Sequence, residues 1–278
     1  MLNITKTFSG EQALICMEND FLRLDLVPET GGKISSLFNK KLQHEFLWKN
    51  PSLELRQYPP GTEYDPNFYG GIDELIPNDI PERIDGIDYP DHGELWTTAL
   101  QYEIADQEVV LSGQLQRCGL SYQKTVSLND REPVVLLDYI IRNESPARRH
   151  FLWKLHAALR MEAGDRLLSS AAKAKVADAD YSRFKNLQPF NWPVIEGRDA
   201  SIVPESSGQM DFFYLYEMQR PEMQMLLHQG KYVFSYRYDP GIFPFQWYFA
   251  SYGGFLSHEV VILEPATGMP LRVNEAMA

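Results

Sequence analysis

Apolar and polar positions alternate with a period of two along most of the chain. Phe21-Leu22-Arg23-Leu24-Asp25-Leu26-Val27 reads as a strand with one face buried. It follows Leu14-Ile15-Cys16-Met17, and Glu18-Asn19-Asp20 between them predicts a hairpin turn. Thr30-Gly31-Gly32 then leads into Lys33-Ile34-Ser35-Ser36-Leu37-Phe38. The same pattern predicts strands at 97–104, 108–111, 120–128, 134–142 and 151–161, then at 212–216, 223–228, 232–238 and 259–263. Helical periodicity is scarce. Residues 169–179 are Ala-rich and read either as a short helix or as strand and loop. Two irregular stretches interrupt the strands: 49–96, rich in Pro and Gly, and 184–208. Neither has the composition of a flexible linker, and long ordered loops in compact domains usually carry function. The pattern predicts an all-β chain forming a single domain over residues 1–278, with antiparallel strands in packed sheets and two long loops over one face.

Composition narrows the function. The 278 residues carry 26 Lys+Arg against 38 Asp+Glu, a formal net charge of −12. A surface this acidic repels phosphate backbones, so neither nucleic acid nor an anionic membrane is an expected partner. No run approaches the ~18 apolar residues of a membrane span, and the first residues lack the pattern of a secretory signal, so the expected location is cytoplasmic. Cys16 and Cys118 match no zinc spacing and read as buried thiols. A core of this size needs no metal or disulfide, and no nucleotide-binding, zincin, EF-hand or Gly-x-Ser-x-Gly pattern occurs, so no cofactor and no metal are expected.

Three segments stand out chemically. In Phe151–Leu159, a period of two puts Leu152, Lys154, His156 and Ala158 on one face, an unusual polar set for an apolar strand. Val260-Val261-Ile262-Leu263 delivers Glu264 at its end, where Pro265 stops the ladder. A carboxylate held there suits a general base. The loop Tyr69-Gly70-Gly71-Ile72-Asp73-Glu74-Leu75-Ile76-Pro77-Asn78-Asp79 offers acceptors at Asp73, Glu74, Asn78 and Asp79, and His92 closes the Pro/Gly-rich stretch. Trp96 and Trp247 are candidates to offer a flat apolar face to a bound ring.

In their order, these segments resemble the galactose mutarotase-like superfamily, which includes the aldose 1-epimerases. Gly31–Leu37 is similar to that family's glycine-rich turn into a strand, and Tyr69–Asn78 to its Gly-Gly…Phe-Pro-Asn segment. Asp91-His92-Gly93 resembles its His-Gly motif, and His156 and Leu263-Glu264-Pro265 resemble the strands that deliver its central histidine and its glutamate. The resemblance implies a β-supersandwich of large antiparallel sheets, a free aldose as substrate, and ring opening by acid and base. His156 would protonate the ring oxygen while Glu264 removes the anomeric hydroxyl proton, with His92 a second contact. Asp211 resembles an aspartate that binds sugar hydroxyls. Two family arginines are absent: Asp79 follows Asn78, and Trp96 ends His92-Gly93-Glu94-Leu95-Trp96. Arg23, Arg56, Arg83 and Arg160 are the candidates to replace them. The absence keeps open a carbohydrate-binding protein without turnover. Other sugar reactions on this fold are further alternatives: sugar-phosphate epimerisation, for which no arginine cluster is evident, polysaccharide elimination, and hydrolysis through Glu74 and Glu264 if they lie close enough. The chain is compatible with a monomer or a homodimer.

Overall fold

The computed structural model describes residues 2–277. Half of it is strand and one twentieth helix. No helix among the described residues is long and apolar enough to cross a membrane. The chain divides into two compact units, 1–151 and 152–278.

The first unit contains β1 (Asn3–Ser9), β2 (Gln12–Glu18), β3 (Leu22–Val27), β4 (Lys33–Asn39), β5 (His44–Glu45), β6 (Ile72–Leu75), β7 (Glu82–Ile84), β8 (Ile87–Tyr89), β9 (Gln101–Ala105), β10 (Glu108–Leu115), β11 (Leu120–Leu128) and β12 (Val135–Asn143). Strands β1-β2-β3-β4-β6 lie side by side, β5 pairs with β4, and β12-β11-β10-β9 form a second sheet. All pairs are antiparallel, and the β2–β3 hairpin turns at the expected place, with Asn19 Oδ1 accepting from the Phe21 and Leu22 amides. The alternation expected along 120–128 is realised literally: β11 alternates buried and half-buried side chains from end to end.

The second unit contains β13 (Lys154–Leu159), β14 (Arg166–Val176), β15 (Phe190–Asn191), β16 (Val194–Ile195), β17 (Arg198–Asp199), β18 (Gln209–Leu227), β19 (Tyr232–Arg237), β20 (Phe245–Tyr252), β21 (Glu259–Ala266) and one helical turn, α1 (Val273–Ala276). Its sheet order is β13-β21-β20-β18-β14-β15, with β19 on β18. The Ala-rich stretch is strand β14, not helix. The two strands expected at 212–216 and 223–228 are one strand of 19 residues, bent where its register against β14 shifts between Ser169 and Ala171.

In both units, buried charge holds elements together. Successive residues of β6 point to opposite faces. Asp73 takes the Lys33 ammonium at 2.5 Å and the Tyr64 hydroxyl at 2.8 Å. Glu74 takes both oxygens to Lys124, at 2.8 and 2.9 Å, and accepts from the Tyr139 hydroxyl at 2.7 Å. The side chains of Lys124 and Glu74 are wholly buried, so this pair ties β6 to the inner face of the β9–β12 sheet. In the second unit, Asp211 on β18 accepts from Arg183, Tyr252 and Ser182 and fixes the 182–184 segment to the sheet. The glycines of 70–71 make room for the chain itself. A Cβ on Gly71 would meet the Ile34 carbonyl oxygen at 2.5 Å, and φ is +85° there.

Lys124→Met leaves Glu74 in the core without its counter-charge, and is expected to cost about 3–5 kcal/mol in urea unfolding; adding Glu74→Met is expected to recover part of it. Burial pushes the Asp211 carboxyl up from 3.8 to about 6, against the opposing pull of Arg183. The native state therefore binds this proton more tightly than the unfolded chain, and Asp211 makes stability fall as pH rises from about 4 to about 6. Asp211→Asn is expected to flatten that part of the profile, read as unfolding midpoints of both proteins across this window.

Candidate functional site

The pairing of β13 with β21 sets the centre of the site. Lys154 faces Ala266, Ala157 faces Leu263 and Ala158 faces Ile262, a constant register. That register places His156 directly opposite Glu264. Directly opposed residues of an antiparallel pair project on the same face, with Cβ atoms about 5 Å apart. Across the next strands, Glu264 faces Trp247 and Trp247 faces Tyr214. His156, Glu264, Trp247 and Tyr214 thus form one row on one face of four adjacent strands, and every member is buried. The apolar composition of β20 and β21 explains their central position. Their inner strands need both faces covered, and both read as near-continuous hydrophobic runs.

Lys154 completes the row from one turn of the pleat away. Its ammonium lies 2.6 Å from Glu264 Oε2 and 4.3 Å from the centre of the Trp247 ring. Its side chain is 2% exposed. A buried ammonium needs a counter-charge, and a carboxylate together with an indole face supplies it. The sequence marks Lys154 as a polar member of the His156 face; its partner, 110 positions away on another strand, carries no local signal. Trp247 does not offer a face for a ligand to stack on. It is fully buried, with Lys154 over its ring, Phe212 and Tyr214 edge-on at 5.8 and 5.0 Å, and its N–H donating to the Gly268 carbonyl at 3.0 Å.

Asp211 is not brought into this row. It is three positions from Tyr214 on β18, so its side chain leaves the opposite face of the sheet, where Arg183 and Tyr252 occupy it. The short sequence match around Asp211 did not encode its face.

In the first unit, Glu74 is consumed by Lys124 and Tyr139, which removes it as a ligand contact and as half of a hydrolytic carboxylate pair. Asn78 is fully buried and ties its own loop, donating to the Ile80 and Pro90 carbonyls at 2.7 Å each. His92 is positioned with more care. Its backbone sits at φ +55°, and Gly93 beside it passes so close to Ile76 that a Cβ would meet that carbonyl oxygen at 2.2 Å. Its ring stacks on Tyr64 at 4.2 Å, and its Nδ1 is 2.8 Å from Asp91 Oδ1. Trp96 packs between the rings of Tyr58 and Tyr64 and is nearly buried.

A narrow cleft next to these rings is lined by Lys33, Arg56, Tyr58, Tyr64, Tyr69 and Trp96. Of the four candidate arginines, Arg56 lies there, its guanidinium 4.8 Å above the Tyr58 ring. Arg83 pairs with Asp88 across the β7–β8 hairpin, Arg23 lies 3.9 Å from Asp25, and Arg160 is exposed just past β13. Among the described residues, Asp65, Asp91 and His92 form one group able to hold a metal ion, with a ligand atom of each within 4.8 Å of the others.

No family model and no curated protein matches the chain. Solved structures do. A galactose mutarotase-like protein from Clostridium acetobutylicum superposes with a TM-score of 0.69 at 15% identity, over 98% of this chain and 90% of that one. A galactose mutarotase-like protein from Lactobacillus casei gives 0.64 at 17%, over 92% and 88%. A TPR-domain containing protein from Parabacteroides distasonis gives 0.69 at 15%, over 92% of this chain, which spans 43% of that longer one. With its nearly all-β composition, its large antiparallel sheets and these superpositions, the chain has the galactose mutarotase-like fold.

Proposed function

We propose that the protein is an aldose 1-epimerase-like isomerase that interconverts the anomers of a free sugar by acid and base catalysis. The observation that carries this reading is the register of β13 on β21, which sets an imidazole and a carboxylate side by side on one face. Opening a sugar ring at the anomeric carbon moves one proton onto the ring oxygen and one off the anomeric hydroxyl. A histidine and a glutamate within reach of one substrate supply both transfers, with no electron transfer to account for. His156 is the acid in this scheme and Glu264 the base. After the C1–C2 bond turns, the same two groups exchange roles as the ring closes. Lys154 provides the positive charge against which the Glu264 carboxylate is held.

One observation favours the second reading, a protein that binds sugar on this scaffold without turning it over. The ammonium of Lys154 sits at 2.6 Å from the proposed base, so proton transfer to Glu264 competes with an existing ion pair.

Saturation-transfer NMR on a panel of aldoses at anomeric equilibrium separates the two. Turnover predicts faster anomer exchange for at least one sugar. His156→Ala and Glu264→Gln are each expected to lower it by about 10²–10⁴-fold, while the circular dichroism of the folded protein is kept. Binding of a sugar without acceleration of its exchange supports the second reading and sinks the first.

A further inference from the structure

The β9–β12 sheet ends on an edge that proteins normally disguise. β12 is the last strand on its side, paired with β11 alone. Edge strands are usually blunted by proline, lysine, a bulge or a covering segment, because a row of unpaired amides and carbonyls is a template for another strand. Over its nine residues, Val135-Leu136-Leu137-Asp138-Tyr139-Ile140-Ile141-Arg142-Asn143, β12 has no proline and no lysine, its two charges are of opposite sign, and its register on β11 is unbroken. Leu136 and Ile140 are exposed large aliphatic side chains at 46% and 40%, and Val134 just before them is at 37%.

The direction of the backbone groups can be assigned. The Glu144 amide donates to the Gly119 carbonyl, and the Val134 carbonyl accepts from the Asn129 amide. Both bonds continue the β11–β12 ladder. Even-numbered residues of β12 therefore point their N–H and C=O toward β11. Odd-numbered residues, Val135, Leu137, Tyr139, Ile141 and Asn143, point theirs away from the sheet.

We propose that β12 is a homodimer edge, and that two copies pair antiparallel about a two-fold axis through Ile140. The charges select this register. Asp138 and Arg142 are the only charged residues of the strand. Both are exposed on its outer face, and neither joins an ion pair among the described residues. They flank Ile140 symmetrically, so in this register Asp138 of each copy faces Arg142 of the other, twice. Shifting the axis to Tyr139 sets Leu136 against Arg142 and Asp138 against Ile140, which leaves both charges without partners. In the Ile140 register, Tyr139 and Ile141 form the hydrogen-bonded pairs, with Leu137 and Asn143 outside them, giving about eight main-chain hydrogen bonds across the axis. Asp138, Ile140 and Arg142 then fall at non-hydrogen-bonded positions, where side chains approach most closely. The partner is a second copy because the strand is complementary to itself, which is what a two-fold interface demands.

The register makes a covalent prediction. Two cysteines facing each other at a non-hydrogen-bonded pair lie within disulfide reach. The native Cys16 and Cys118 are buried and do not compete. Ile140→Cys is expected to form a disulfide-linked dimer under mild oxidation. Thr125→Cys, on the same face but one strand inward, is expected to stay monomeric on non-reducing gels. In sedimentation velocity, the wild type is expected to dimerise. Asp138→Arg and Arg142→Asp each place like charges together and should weaken the dimer about tenfold or more; the double reversal should restore it. Three results each overturn the proposal: a wild-type monomer at about 100 μM, equal crosslinking of the two cysteine variants, or single reversals that leave the dimer constant unchanged. The reversals lie on the exposed face, and their circular dichroism verifies that they fold.

Discussion

Charge taken out of water has to be answered inside the protein, and that requirement organises this structure. Lys33, Lys124 and Lys154 are all buried on strands, and each ends on a carboxylate: Asp73, Glu74 and Glu264. The isolated cost of burying any one of these ions exceeds what a single hydrogen bond returns, so the pairs stand or fall together. Two of them fix the short strand β6, whose adjacent acidic residues reach in opposite directions. The third sits at the centre of the proposed catalytic row. The same kind of bond therefore serves architecture in one unit and candidate chemistry in the other, where His156 stands beside it.

The placement of that row follows from sheet geometry. β21 lies between β13 and β20, so Glu264 is flanked by His156 on one side and Trp247 on the other. A residue in such a position has little rotational freedom and little water. Both properties favour a defined proton path, and both also make the carboxylate depend on Lys154 for its counter-charge. The Asp211 cluster on the reverse face shows the alternative: a buried carboxylate with Arg183 and two hydroxyls becomes a clamp on a loop.

Much of the fold was legible in sequence because period-2 alternation is a local signal. β2, β3, β4, β11 and β12 lie within a residue or two of where the pattern puts them. β20 escaped because Phe245-Gln246-Trp247-Tyr248-Phe249 is apolar on both faces, and an inner strand buried on both sides shows no alternation. β1 escaped for the opposite reason, being an edge strand that is mostly exposed. At the site, His156 and Lys154 were marked by their polarity within an apolar strand. The fate of Glu74 was not legible, since it is decided by Lys124, fifty positions further along. The opposite orientation of Asp211 was hidden because a short match says nothing about which face its strand presents.

The order of strands in the second unit also bears on how the protein is made. β21 is synthesised after every other strand of its sheet, yet it occupies an interior slot between β13, made more than a hundred residues earlier, and β20. Until it emerges from the ribosome, β13 lacks its neighbour on that side, and the nascent chain must keep two apolar edges apart without the strand that fills the gap. Closing such a gap is a long-range, slow event during which exposed edges invite aggregation. Glu264 arrives with that same strand, so completion of the sheet and assembly of the candidate row are a single step.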